Sequence, residues 1–349
     1  MTAIPIIDFA SNLGLNTWEN RKLIATIDTA CREIGFFIII NPPIDEKILG
    51  LVYEQASEFF SLSTSLKMKY YIGNQPNHRG YVPPGEEQYG ALQGAPGVEA
   101  SSTRELKEGF EIGTSTPKND PDFLAGVKFL GPNVWPEELP KFQPIVEEYY
   151  KQTMALGTTL FRIFARALNI NETIFFEMTK KPVSNLRLLY YHPQPIIAGV
   201  ELLGIGAHTD SECFTILSTR GEGLQVVTRD GRWVKVPSIE GAFIVNIGDT
   251  MEVWTNGTYV STQHRVVSNG KERWSLPLFF AADYFQNIEP LPQFINPSAP
   301  SRYTPFVSGV HKLSEYAKGF RYLKLLARRG EIKLESEPDK LSCFAKKSS

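Results

Sequence analysis

From Leu186 onward the sequence breaks into short apolar or alternating runs about ten residues apart: Leu186–Tyr191, Cys213–Leu217, Leu224–Thr228, Trp233–Val236, Ala242–Ile247, Tyr259–Val260, Arg265–Val267 and Trp274–Tyr284. Turn-forming residues stand between them, at Gly221-Glu-Gly, Arg229-Asp-Gly, Gly248-Asp, Asn256-Gly and Asn269-Gly. Strands this closely spaced leave no room for the helical crossovers of a parallel sheet, so the pattern predicts a sandwich or jelly roll. The first half reads differently. Ile4–Phe9 and Phe36–Ile40 look like strands, and between them Leu23, Ile24, Ile27, Cys31 and Ile34 recur at helical spacing. Asp45 is placed to cap a helix whose apolar face is Ile48, Leu49, Val52, Ala56, Phe59 and Phe60. Leu106–Gly113 regains strand character, Leu139–Leu168 reads as the longest helix and His311–Arg328 as the last. Ala91–Arg104, rich in Gly, Ala and Ser, reads either as a mobile lid or as an insertion. The expected fold class is mainly β with flanking helices.

Composition narrows the function classes. Across 349 residues, 36 basic and 38 acidic side chains leave a net charge of −2 without a basic run, which speaks against nucleic acid as a partner. At 42% apolar and 12% aromatic, the chain can bury a sizeable core. The longest apolar run, Ile34–Ile40, is far too short to span a bilayer, so no membrane partner is expected. Cys31, Cys213 and Cys343 form neither a disulfide framework nor a zinc motif, and Cys213 reads as a packing residue. No basic leader or cleavage-like site is visible at the N-terminus. Together these features predict a soluble, cytoplasmic protein. Nothing in the sequence sets an oligomeric state.

The chemistry concentrates in Gly206-Ala-His208-Thr-Asp210. On extended backbone, residues i and i+2 share a face, so His208 and Asp210 converge while Thr209 points away. A second imidazole would complete two histidines and one carboxylate on one face of an octahedron, the usual platform for non-haem Fe(II) oxygen chemistry. The candidates are His78, His192, His264 and His311. His78 lies in a turn-rich loop and reads as a surface or loop-packing residue. His192 stands at a strand end and reads as structural. His311 opens the last helix and reads as a surface residue. His264, in Ser261-Thr-Gln-His-Arg-Val-Val, belongs to the same β core as Asp210. Nine residues further on, Arg273-Trp-Ser275 puts a guanidinium and a hydroxyl on one strand face. A hairpin at Asn269-Gly270 would lay that strand beside His264. An inward Arg273 would suit a carboxylate ligand; the other reading is a rim arginine paired with a protein carboxylate.

Taken together, the order of these motifs resembles that of the Fe(II)/2-oxoglutarate-dependent oxygenases of the isopenicillin N synthase-like family. Further likenesses are Ile4-Pro-Ile-Ile-Asp8-Phe, Arg79-Gly-Tyr81, Lys107-Glu108, Arg187-Leu-Leu-Tyr-Tyr191-His-Pro, Gly223-Leu-Gln-Val and Asn246-Ile-Gly-Asp249. The likeness runs from about residue 4 to 330. It implies a double-stranded β-helix core within a single oxygenase domain over residues 1–349: an N-terminal region 1–180, a jelly roll at about 185–285 and a C-terminal helix at about 311–328. The resemblance implies Fe(II) on His208, Asp210 and His264, and the distal carboxylate of 2-oxoglutarate on Arg273 and Ser275. Tyr191 matches a tyrosine that can also bond the cosubstrate, although His192 stands where the family has proline. Oxidation of a C–H bond of a small, specialised-metabolite substrate by O₂ would release succinate and CO₂, with hydroxylation, desaturation or cyclisation as outcomes. By analogy, the loop Arg79–Glu87 with Tyr81, the run Lys107–Phe110, Arg187, Phe279 or Phe280 and the last helix lie near the substrate mouth, Arg187 alternatively pairing with a structural acid. The competing readings are an iron oxidase that does not use 2-oxoglutarate, a metal-dependent hydrolase and a metal-binding scaffold.

Overall fold

Phe36 and Ile38 point to one side of their strand and Phe37 and Ile39 to the other, and all four are buried. A strand apolar on both faces has to lie between two layers. The computed structural model, which describes residues 4–9, 18–88, 107–196 and 202–334, shows both layers. Phe36 and Ile38 join Leu189, Ile205, Leu217, Val226, Ile244 and Val266 in the interior between two sheets. Phe37 and Ile39 join a larger cluster formed with the helices.

The major sheet has eight strands in the order Ile6–Asp8, Phe36–Ile40, Phe243–Ile247, Phe214–Arg220, Arg273–Phe280, Asn185–Tyr191, Lys107–Gly113 and Gly80–Val82. The minor sheet has four: Leu203–His208, His264–Val267, Leu224–Val227 and Trp233–Lys235. Pairing is antiparallel in both, except that Ile6–Asp8 runs parallel to Phe36–Ile40. The two facing sheets form a jelly-roll core. Helices Trp18–Glu33, Glu46–Ser61 and Phe142–Ala167 cover the outer face of the major sheet through Ile27, Val52, Phe59, Val146, Leu160 and Phe164. Asp45 caps the second of these, its carboxylate accepting from the Lys47 amide at 2.8 Å.

Several elements depart from the sequence expectation. Four of the eight major-sheet strands come from the N-terminal region, so the sheet reaches well outside residues 185–285. Tyr259–Val260 is not a strand; its amides bond to Thr255 Oγ1 and the Cys31 carbonyl instead of a ladder. The last helix is two, Ser308–Gly319 and Arg321–Arg328, broken where extended Phe320 bridges Glu87. Residues 268–272 do not form a hairpin. His264–Val267 pairs only within the minor sheet and Arg273–Phe280 only within the major one, so the chain turns a corner of the sandwich there. Arg273 therefore sits on the sheet facing His264. The segment 91–104 lies outside the described residues.

Phe280 belongs to the helix-side layer. It stacks on Phe214 at 4.9 Å and meets Phe161 edge-on at 5.1 Å, directly above Gly157 of the long helix. A Cβ on Gly157 would lie 2.2 Å from the Phe280 ring, which its aromatic neighbours hold in place. In an open helix, Gly→Ala gains about 1 kcal/mol. Here overpacking of about 1–3 kcal/mol opposes that gain. Gly157→Ala is expected to lower the urea midpoint, and a raised midpoint would show that Phe280 yields freely.

Candidate metal centre

Strand pairing brings the histidines together. His208 and His264 are direct partners on adjacent antiparallel strands, with ring centroids 4.4 Å apart. Asp210 follows His208 where that strand ends, and its Oδ1 lies 3.7 Å from His208 Nε2 and 3.6 Å from His264 Nε2. Ligand atoms of all three fall within 4.8 Å of one another. The outer nitrogens set the tautomers: His208 Nδ1 donates to the Gly206 carbonyl at 2.8 Å, and His264 Nδ1 to that of Thr262 at 3.2 Å. A carbonyl only accepts, so each Nε2 lone pair is left facing the cluster. Burial, together with the neighbouring His264, lowers the His208 pKa and favours the neutral, ligating form.

Asp210 is held from behind. Its Oδ2 accepts from Thr215 Oγ1 at 2.5 Å and Asn246 Nδ2 at 2.7 Å, while Oδ1 faces the imidazoles. Burial raises the pKa of its carboxyl, but both histidines and these two donors outweigh that and keep it below the usual range. The Asp249 amide bonds to the Asp210 carbonyl at 2.8 Å. That approach needs Gly248, where a Cβ would stand 2.1 Å from the Glu212 carbonyl oxygen.

On the opposite sheet, Arg273 and Ser275 point into the same cavity, whose volume is about 360 Å³. Arg273 is paired in register with Tyr191 and lies over its ring, 4.9 Å from the centroid. Its Nε and Nη1 are buried without hydrogen-bond partners, and no described carboxylate forms an ion pair with it. Burial lowers its pKa, with Tyr191 and Tyr53 opposing. Such a guanidinium lacks an anion.

Strand parity separates the remaining candidates. Arg187 shares the inward face of its strand with Leu189 and Tyr191 and lines the cavity, yet it also binds Glu87 at 2.8 Å and Glu111 at 3.0 Å. Phe279 lines the cavity, whereas Phe280 points into the helix-side core. Arg79 is fully buried away from the cavity, donating to the carbonyls of His78 and Phe129. Tyr81 is buried too, its hydroxyl donating to Glu108 at 2.7 Å. The other histidines face acids elsewhere: His192 lies 3.0 Å from Glu108, His311 3.7 Å from Asp249 and His78 3.4 Å from Glu111. His78 and His311 are buried, contrary to the expectation of surface positions: Tyr316, Phe320 and Tyr322 close over His78, and His311 turns inward from its own helix against Phe306 and Asp249.

The sequence assigns no role to Thr215, Asn246 or Glu111, and it places Glu87, which lines the cavity, only as the end of a loop near the substrate mouth. Only the Asn246-Ile-Gly-Asp249 run carried a usable signal, since Asn246 stands in an otherwise apolar strand. Glu111 is fully buried beside Arg187. Burial raises its carboxyl pKa, but His78, Arg187 and Arg79 together bring it down to about 2.

A donor set that could hold a metal ion thus lies inside the sandwich and faces a buried guanidinium across the cavity. Comparisons with known proteins agree. Residues 4–138 match the family described as non-haem dioxygenase in morphine synthesis N-terminal, and residues 182–282 match the 2OG-Fe(II) oxygenase superfamily. The 2-oxoglutarate-Fe(II) type oxidoreductase hxnY of Emericella nidulans is 32% identical over 342 residues, 95% of each chain. Clavatol oxidase claD of Penicillium crustosum is 34% identical over 286 residues, 78% of this chain and 83% of its own. A full-length Neurospora crassa protein crystallised with alpha-KG and thymine superposes with a TM-score of 0.75 at 26% identity, covering 93% of this chain and 97% of that one. The chain belongs to the Fe(II)/2-oxoglutarate-dependent oxygenases of the isopenicillin N synthase-like family. It is an enzyme, a non-haem dioxygenase that uses Fe(II), 2-oxoglutarate and O₂.

Because the folded pKa of Glu111, about 2, lies below the ordinary 4.5, its stabilisation is complete above pH 4.5 and drains away as pH falls towards 2. Glu111→Gln is expected to cost about 3 kcal/mol at neutral pH. The variant should also lose stability less steeply than the wild type between pH 4.5 and 2. Urea midpoints across that range measure both, and parallel curves would remove the ion-pair role.

Proposed function

We propose that His208, Asp210 and His264 hold Fe(II), that Arg273 and Ser275 receive the distal carboxylate of 2-oxoglutarate beside Tyr191, and that the enzyme oxidises a C–H bond of a small-molecule substrate. The observation that carries this reading is the pair of unpartnered guanidinium nitrogens on Arg273, buried in the same cavity as three metal-type donors. The donor set fits the ion: two imidazole Nε2 atoms and one carboxylate oxygen are the ligands that non-haem Fe(II) takes while keeping open positions. When bound, Fe(II) and 2-oxoglutarate supply the oxidising power, O₂ being reduced as 2-oxoglutarate becomes succinate and CO₂ and a substrate C–H bond is oxidised.

The chain's own residues do the positioning. The carbonyls of Gly206 and Thr262 keep both imidazoles in the ligating tautomer. Thr215 and Asn246 occupy Oδ2 of Asp210, so Oδ1 is the oxygen offered. Arg273 neutralises an incoming carboxylate bidentately, and the Ser275 hydroxyl stands beside it on the same strand face. Leu189, Ile205, Leu217, Leu224 and Val266 line the cavity between the sheets and exclude water. The thymine bound by the Neurospora crassa protein and the clavatol of the Penicillium relative support a small-molecule substrate of specialised metabolism. Among the described residues, no helix is long and apolar enough to cross a membrane, and Cys31 and Cys213 are buried free thiols. Those thiols support a reducing compartment, the cytoplasm.

Anaerobic addition of 2-oxoglutarate to the Fe(II) protein should produce a visible charge-transfer band. Arg273→Ala removes charge-assisted hydrogen bonds worth about 1.5–3 kcal/mol and should raise half-saturation by 2-oxoglutarate about 10- to 150-fold. An unchanged constant would seat the cosubstrate elsewhere. Asp210→Ala should abolish turnover. Asn246→Ala, which frees the anchored carboxylate, should weaken Mn(II) binding about 10- to 100-fold in a calorimetric titration. Undiminished Mn(II) affinity would deny Asn246 that part.

A further inference from the structure

The cavity wall away from Arg273 is rich in charge, and its charges come in pairs. Glu87 holds Arg187 at 2.8 Å and faces Lys107 at 3.5 Å. Arg187 reaches on to Glu111 at 3.0 Å. Lys312 binds Glu212 at 3.0 Å, and at the rim Lys318 binds Glu315 at 2.7 Å. Of these eight groups, Glu87, Arg187, Glu212, Glu315 and Lys318 line the cavity, while Lys107, Glu111 and Lys312 are their partners outside the lining, and each has an opposite charge within reach. Asp210 faces the imidazoles. Arg273, at the other end, is the one cation lining the cavity without a described carboxylate partner. Between the pairs stand rings: Phe279 and Tyr316 line the same wall, and the Arg187 guanidinium lies 5.4 and 5.0 Å from their centroids.

We propose that the primary substrate is a neutral, ring-bearing molecule with an N–H or O–H donor and no carboxylate, phosphate or ammonium group. This rests on the reading that Arg273 takes 2-oxoglutarate. An anionic substrate would leave water to meet cations already neutralised. Binding one of them would displace a wall carboxylate such as Glu87, which is 3% exposed and would be stranded without its partner. A stranded buried charge costs several kcal/mol, more than a new contact returns. A cationic substrate meets the same obstacle from the lysines and Arg187. A neutral ring disturbs no pair. It packs on Phe279 and Tyr316, and its donor finds a lone pair on Glu87 or Glu212, which are acceptor-only as carboxylates. The same balance keeps 2-oxoglutarate, a dianion, out of the substrate end.

The test uses the Fe(II) enzyme with 2-oxoglutarate under anaerobic conditions and two probes of matched size, 4-methylbenzamide and 4-methylbenzoate. Perturbation of the charge-transfer band reports binding beside the metal. For the wild type, half-saturation by the amide should lie at least about tenfold below that by the benzoate, a difference of about 1.4 kcal/mol. Glu87→Gln, which leaves Arg187 and Lys107 one carboxylate short, should reverse the order. Benzoate binding as tightly as the amide to the wild type overturns the proposal whether or not the variant folds, as does an amide with no effect at its solubility limit. A missing band before either probe is added removes the 2-oxoglutarate seat and this inference with it, whereas a normal band with benzoate preferred removes the inference alone.

Discussion

Asp210 carries two obligations at once, and the site depends on their being met by different oxygens. A carboxylate offers several lone pairs, and a metal ligand must present one of them in a fixed direction. Thr215 and Asn246, from neighbouring strands of the major sheet, saturate Oδ2. Oδ1 is then the oxygen left for the imidazoles on the minor sheet. The carboxylate thus ties the two sheets together across the interior. Its backbone is pinned as well, by the Asp249 amide and by the close approach that Gly248 permits. On the proposed reading, a ligand clamped at three points would cost little to organise for an ion.

The same fold tolerates an unusual density of buried charge because the charges lie on one side of the sandwich. Glu87, Lys107, Glu111, Arg187, Glu212 and Lys312 are each no more than 5% exposed. A buried ion pair rarely adds net stability over apolar packing, because both ions must leave water. Breaking such a pair is expensive, however, so the network resists rearrangement. Arg187 sits at its centre, held by two carboxylates and flanked by Phe279, Tyr316 and Phe320. Helix Ser308–Gly319 is fastened by the Lys312–Glu212 ion pair and by a hydrogen bond from Lys312 to the Val183 carbonyl. Rigidity is what these pairs contribute.

What could be read in the sequence follows from the range of the forces involved. Strand alternation and helix capping are local, so Phe36–Ile40 and the Asp45 cap are legible residue by residue. His208 and Asp210 are legible from their spacing, although the strand ends at His208 and Asp210 lies just beyond it. Strand parity also decides between the two phenylalanines: with Arg273 and Ser275 facing inward, Phe279 faces inward too, and Phe280 faces the helices. Other features lie beyond local patterns. Asn269-Gly270 signals a turn, but a hairpin and a sandwich corner carry the same signal, and only the partners of the flanking strands distinguish them. Glu87 and Glu111 meet Arg187 across 100 and 76 positions of sequence, so nothing near Arg187 announces them. Arg79 resembles a family loop residue in sequence, yet the carbonyls of His78 and Phe129 hold it inside.

The two ends of the cavity differ in one electrostatic respect, and that difference organises the chemistry. Arg273 is a buried cation whose counter-charge is missing from the described chain, so it is stabilised only when an anion arrives. The opposite wall is already neutral by its own pairing. On the proposed reading, a dianion would have a single favourable orientation: one carboxylate at Arg273 and the other end directed towards His208, Asp210 and His264. Had Glu87 or Glu212 lacked its cation, a second anion-repelling centre would stand beside the metal. Had Arg187 lacked its carboxylates, the dianion would have two seats, and the substrate would compete with it for one of them. Pairing at one end is what makes the unpaired charge at the other selective.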